Sequence, residues 1–154
     1  MSAFAEMVNS LKKRKNVLLL TGYLCDEMEL GSRKLSDFAA DIALKLDLPV
    51  AATANTVVPL KEKGVRATKK TLAEMVNLTR FPHWGDPIMA QRPEMMVFIG
   101  YPPRILRAVL PVVKDMETVV LGNVSLKEAT FSLPDASLLQ YRKNLASLIG
   151  ELEK

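Results

Sequence analysis

The chain has 154 residues, 49% hydrophobic and 25% charged, with a formal net charge of +4. A globular chain of this length buries roughly 68–70% of the surface its unfolded form exposes, so one sizeable core is expected and global disorder is excluded. With a single cysteine, Cys25, and a single histidine, His83, it has no internal disulfide and too few ligands for an iron–sulfur cluster or a metal site built from several imidazoles.

In chain order, Phe4, Met7, Val8 and Leu11 recur at helical spacing, which predicts an amphipathic helix over 3–13. A basic block, Lys12, Lys13, Arg14 and Lys15, closes it and suits the negative end of the helix dipole. Val17-Leu18-Leu19-Leu20 is an unbroken apolar run, as in a strand covered on both faces, and Gly22 ends it. Such a strand, 17–21, is expected in the interior of a sheet, because an edge strand normally carries charge or proline. Ser32 is placed to cap a helix with an apolar stripe of Leu35, Phe38, Ala39, Ile42 and Leu46. Residues 48–52 read as a second buried strand.

From Thr53 to residue 94 the periodicity weakens, a length that compact domains rarely leave structureless unless it is functional or mobile. Within it Thr71 and Glu74 form a capping-box pair, predicting a short helix with Leu72, Met75 and Val76, while residues 81–87 read as a loop. The 53–94 segment is too apolar for a linker. Met75, Val76, Phe81, Trp84, Ile88 and Met89 cannot all be buried, which is how a partner-binding surface reads. Met95–Ile99 is a third buried strand, stopped by Gly100. Pro102 and Pro103 open a helix with Ile105, Leu106, Val109, Leu110 and Val113, which Pro111 should kink or shorten. A fourth strand is expected at 118–122 and a short fifth at 129–131. Asp135 or Ser137 opens a final helix with Leu138, Tyr141, Leu145, Leu148, Ile149 and Leu152 inward.

Alternating strands and helices imply right-handed crossovers and an α/β fold: one Rossmann-like domain over 1–154, a doubly wound, mostly parallel sheet of four to six strands with helices on both faces. In such sheets ligands bind beyond the carboxyl ends of the strands, where strand order reverses. Gly22, Tyr23, Thr53, Asn55, Gly100, Tyr101 and Asn123 all fall at or just beyond those ends, and they are the candidate cofactor-binding residues, expected to line one pocket. Either the glycines let a ligand approach the backbone and the tyrosines stack on a ring or bond a ribose, or the glycines only make tight turns. No G-x-G pair occurs, and Thr53-Ala54-Asn55-Thr56 offers no carboxylate for a ribose. Ordinary NAD recognition is therefore disfavoured, and a flavin or other nucleotide bound by a different route stays open.

No catalytic residue is assigned. Cys25 lacks a base near it in sequence and reads as a bystander thiol. His83 in its loop reads as a surface or interface residue, and Asp26, Glu27 and Glu29 as a solvated loop or a cation site. The basic blocks, the second being Lys61, Lys63, Arg66, Lys69 and Lys70, either are solvated or grip an anion; no aromatic residues are interleaved as a single-strand nucleic-acid binder would need. With no long apolar run, no membrane contact is expected and a cytoplasmic location is.

The succession of the Lys-Arg block, Val17-Leu18-Leu19-Leu20-Thr21-Gly22, Leu48-Pro49-Val50-Ala51-Ala52-Thr53-Ala54, Val97-Phe98-Ile99-Gly100 and Thr118-Val119-Val120-Leu121 resembles two related groups. One is the middle, nucleotide-binding domain of thiamine-diphosphate enzymes. The other is the epsilon subunit of the archaeal carbon monoxide dehydrogenase/acetyl-CoA synthase complex, also called acetyl-CoA decarbonylase/synthase, whose Asn-Ala-Thr-Met-Ser segment is similar to Glu128-Ala129-Thr130-Phe131-Ser132. This second resemblance implies an NAD/FAD-binding-type fold and a non-catalytic subunit that binds no metal. It implies a partner, the nickel- and iron–sulfur-bearing alpha subunit, in an assembly of two alpha and two epsilon chains, with self-association when isolated. It also implies a role in passing electrons to FAD within one-carbon metabolism and methanogenesis. The first resemblance implies instead an independent nucleotide- or flavin-binding domain.

Overall fold

Five consecutive buried residues form β1 (Val17–Thr21), and a strand with no polar face must be covered on both sides and paired along both edges. The computed structural model, which describes residues 2–154, places it there. β1 follows α1 (Ala3–Lys13) and leads through the one-turn α2 (Leu24–Glu27) and a small hairpin, β2 (Glu29–Leu30) and β3 (Arg33–Lys34), into α3 (Leu35–Leu46). Next come β4 (Val50–Ala52), a 3-10 turn over Ala54–Thr56, α4 (Val57–Glu62), β5 (Ala67–Lys69) and α5 (Leu72–Leu78). The second half holds β6 (Met95–Ile99), α6 (Pro103–Val109), β7 (Glu117–Val120), β8 (Phe131–Ser132) and α7 (Leu138–Leu152).

The six-stranded sheet runs β5-β4-β1-β6-β7-β8 with every pair parallel. By order of appearance within the sheet this is 3-2-1-4-5-6, the doubly wound arrangement whose switch point lies between β1 and β6. Alternate residues of β1 serve the two faces: Val17 and Leu19 join Met7, Phe38, Ile42 and Leu145 under α1, α3 and α7, whereas Leu18 and Leu20 join Met75, Leu106 and Leu110 under α5 and α6. That second face is covered in part by the 79–94 strap, whose Trp84, Ile88 and Met89 pack on it. Lys70 and Asp86, 2.6 Å apart and largely covered, pin the strap, and Asp86 also accepts the Ile88 N–H.

Several expected boundaries shift. Ser32 does not cap α3; it lies with Gly31, at φ +73°, in the turn between β2 and β3, and the helix opens at Leu35 with the Lys34 N–H donated to the Asp37 carboxylate. The second strand is Val50–Ala52, the fourth begins at Glu117, and the short fifth is Phe131–Ser132. α2, the hairpin, α4 and β5 were not expected. Thr71 and Ser137 do cap α5 and α7, and α6 stops at Val109, with Leu110–Val112 tightening into a 3-10 turn around Pro111. Leu138 is 49% exposed rather than inward, because it sits in the first turn of α7, before the helix reaches the sheet. Among the described residues no helix is long and apolar enough to cross a membrane.

Candidate functional site

The carboxyl edge of the sheet is built around two glycines that touch. A Cβ on Gly22 would lie 2.3 Å from the Gly100 carbonyl oxygen and 2.7 Å from Tyr101 Cδ1. Gly100 has φ +87°, and a Cβ there would lie 2.5 Å from Cys25 Sγ. Only glycine lets the β1 and β6 turns close on each other this far. The contact is stitched by backbone bonds: the Gly22 N–H donates to Ile99 O at 2.8 Å and the Leu24 N–H to Gly100 O at 3.0 Å.

Over this seam lies Tyr101. Its ring meets Phe98 edge-on at 6.3 Å between centroids, and its hydroxyl reaches Thr53 Oγ1, 3.2 Å away at the end of β4. Burial raises the phenol's pKa, so it stays protonated and neutral; the Thr53 bond acts the other way and is the weaker influence. Below it the Thr56 hydroxyl donates to Thr53 O at 2.7 Å, which leaves the Thr21 hydroxyl to donate to Thr56 Oγ1 at 3.0 Å. Ala54, between these threonines, holds φ +49° in the left-handed region, a strained choice for alanine. The Cys25 thiol is fully buried, donates weakly to Ile99 O at 3.6 Å, and is pushed up by burial, so it is an inert thiol rather than a nucleophile.

Of the seven candidate residues, Gly22, Thr53, Gly100 and Tyr101 converge on this seam. Gly100, Tyr101 and Asn123 border a cavity of about 30 Å3 that Tyr141 closes from the α7 side. That holds a water or so, against about 300–1,000 Å3 for a ligand pocket. Tyr23, 40% exposed, and Asn55, exposed on the 3-10 turn, point to neither. The Tyr141 hydroxyl, absent from the sequence expectations as a polar group, donates to Leu121 O at 2.6 Å and ties α7 to the end of β7.

A dinucleotide such as FAD would lay its pyrophosphate on the turn after β1, using free amides at a helix start. Here the Gly22 and Leu24 amides are committed to Ile99 and Gly100, α2 is only four residues long, and Tyr101 fills the space above. The residues of this turn do not fit such a group. Among the described residues no three histidine, cysteine or carboxylate side chains converge as a metal site, and Asp26, Glu27 and Glu29 do not form one.

No protein-family model matches the chain. Two curated relatives do. The acetyl-CoA decarbonylase/synthase complex subunit epsilon of Methanothermobacter thermautotrophicus is 29% identical over 90 residues, 58% of this chain and 49% of that protein, so the matched stretch spans about half of the relative's length. The subunit epsilon 1 of Archaeoglobus fulgidus is 26% identical over 151 residues, 95% of this chain and 78% of that protein. The second alignment covers nearly the whole chain, and over that length the chain is similar to an epsilon subunit of an acetyl-CoA decarbonylase/synthase complex.

Proposed function

We propose that this chain is a non-catalytic subunit of an acetyl-CoA decarbonylase/synthase complex, where it binds and stabilises the metal-bearing carbon monoxide dehydrogenase alpha subunit. The collinear match over 95% of the chain carries the reading. The seam supports it: Tyr101, Thr53, Gly22 and Gly100 spend the crevice that a doubly wound sheet offers a ligand on internal contacts, so the fold acts as a rigid body that presents a surface. The chemistry of carbon monoxide would then belong to the partner's metals.

The docking surface in this reading is the strap across the second sheet face. Phe81 is 54% exposed there, and Val112, 41% exposed, lies in the 3-10 turn that follows α6. Trp84 anchors the strap by packing on the core, its indole N–H buried without an acceptor. The experiment is capture of the purified alpha subunit by the tagged chain, native and with Phe81→Ala plus Trp84→Ala. Capture by the native chain and its loss in a folded double variant are expected. Capture unchanged by both substitutions would remove the strap from the interface, and no capture by the native chain would overturn the assignment of partner.

A further inference from the structure

Of the second basic block of the sequence, Lys63 pairs with Asp37 at 2.7 Å, Arg66 with Asp47 at 3.2 Å and Lys70 with Asp86 at 2.6 Å, while Lys61 and Lys69 form no ion pair among the described residues. In the first block one cation is paired. Arg14 pairs with Glu117, but among the described residues Lys12 and Lys15 meet no carboxylate. The dipole at the end of α1 accounts for Lys12, whereas Lys15 stands beyond the helix and its C-cap, Arg14.

Both lysines border a cleft of about 330 Å3 at the amino end of the sheet, opposite the Tyr101 seam. Four parts of the chain wall it: the end of α1, the end of α3, Arg66 ahead of β5, and residues 87–90 of the strap. Partly exposed Leu46, Pro49, Ile88 and Met89 give it an apolar patch within a lining that is otherwise mostly polar, where Asp47 is paired with Arg66. The walls are fixed before any ligand arrives: the Glu94 N–H donates to Asn16 O at 2.7 Å, Asn16 Nδ2 to Gln91 Oε1 at 3.2 Å, and Arg66 Nη2 to Asp47 O at 2.7 Å. No aromatic residue lines the cleft, so nothing there stacks a nucleobase, and the patch of Leu46, Pro49 and Met89 is a surface that a bare phosphate would leave unused.

We infer that this cleft docks an acidic segment of a protein partner, with a leucine-sized side chain inserted between Leu46, Pro49 and Met89 and flanking carboxylates on Lys12 and Lys15. The inference does not rest on the complex proposed above; it identifies the partner by charge and shape alone.

The test is fluorescence anisotropy of the full chain with a labelled Asp-Asp-Leu-Asp-Asp peptide at constant ionic strength. Binding is expected, weakened about tenfold by Lys12→Glu plus Lys15→Glu, less by the glutamine pair at the same positions, and within about twofold of native for the equally charged control Lys127→Glu plus Lys143→Glu. Replacing the peptide's leucine by alanine is expected to weaken binding several-fold. No binding, an equal loss in the control variant, or indifference to the leucine overturns the inference. So does displacement of the peptide by inorganic pyrophosphate below the peptide's own Kd, which would make the cleft a small-anion site.

Discussion

Replacing Gly22 with alanine sets a methyl 2.3 Å from the Gly100 carbonyl oxygen, 2.6 Å from its carbonyl carbon and 2.7 Å from the Tyr101 ring. Two of those three atoms are backbone, held by the Gly22–Ile99 and Leu24–Gly100 bonds, so neither side can retreat without breaking the seam. Overpacking of a core costs about 1–3 kcal/mol when side chains can adjust, and this site lies at or beyond the upper end. A loss of about 3 kcal/mol is a large part of the 5–15 kcal/mol that holds a domain together, and at about 2–4 °C per kcal/mol it lowers Tm by about 6–12 °C. Two other glycines calibrate the scale. Gly64 has φ +86° but open space around it, so Gly64→Ala pays conformational strain alone, about 1–2 kcal/mol. Gly150 lies in α7 with nothing within 4 Å, and Gly150→Ala is expected to stabilise by up to about 1 kcal/mol. Urea unfolding followed by far-UV circular dichroism ranks the three. A Gly22→Ala loss no larger than that of Gly64→Ala would refute the reasoning and reopen the crevice as a space that a ligand could enter.

Tyr141→Phe removes the donor to Leu121 O in a residue that is 1% exposed, and the orphaned buried carbonyl is expected to cost about 1–3 kcal/mol in the same assay. Cys25 should be silent to a thiol reagent in the native protein and react in step with urea unfolding; rapid native labelling would contradict the closed seam. For Lys70 and Asp86 the pH window follows from the shifts. Burial alone would raise the Asp86 carboxyl, but the Lys70 ammonium and the Ile88 N–H hold it below its usual range, and Asp86 in turn raises Lys70. The carboxylate's contribution is complete above the unfolded value of about 3.9 and lost as pH falls through the lower folded value. The ammonium's is complete below about 10.4 and lost as pH rises through its raised value. Lys70→Ala should therefore be less stable than native between about pH 5 and 9, with the gap narrowing toward about pH 2; an undiminished gap there would contradict the pairing.

β1, β6 and the core of β7 were legible because a parallel strand covered on both faces must be apolar at every position, and Val17 to Leu20 and Met95–Ile99 are. α1, α3 and α7 were legible from their stripes. β5 was not: as an edge strand with one covered residue, Ala67, followed by exposed Thr68 and Lys69, it carries no apolar run. α4 was hidden by Pro59, which falls in its first turn, where the missing N–H has no intrahelical partner anyway. Ser32 misled because serine favours hairpin turns as readily as caps. At the carboxyl edge, the meeting of the Gly22 and Gly100 turns could be read from the strand order. That Tyr101 would cross to Thr53, and Cys25 fill the notch above Gly100, depends on rotamers and tight contacts that no spacing encodes.

The central claim, that this chain steadies a carbon monoxide dehydrogenase alpha subunit, is tested most directly by the half-life of that subunit's activity at elevated temperature. The purified alpha subunit is heated alone, with a molar equivalent of this chain, and with the same chain carrying Gly22→Ala, which should loosen the fold and the surface it presents. A longer half-life with the native chain, and a smaller gain with the variant, is the predicted result. A half-life unchanged by the native chain would contradict the account.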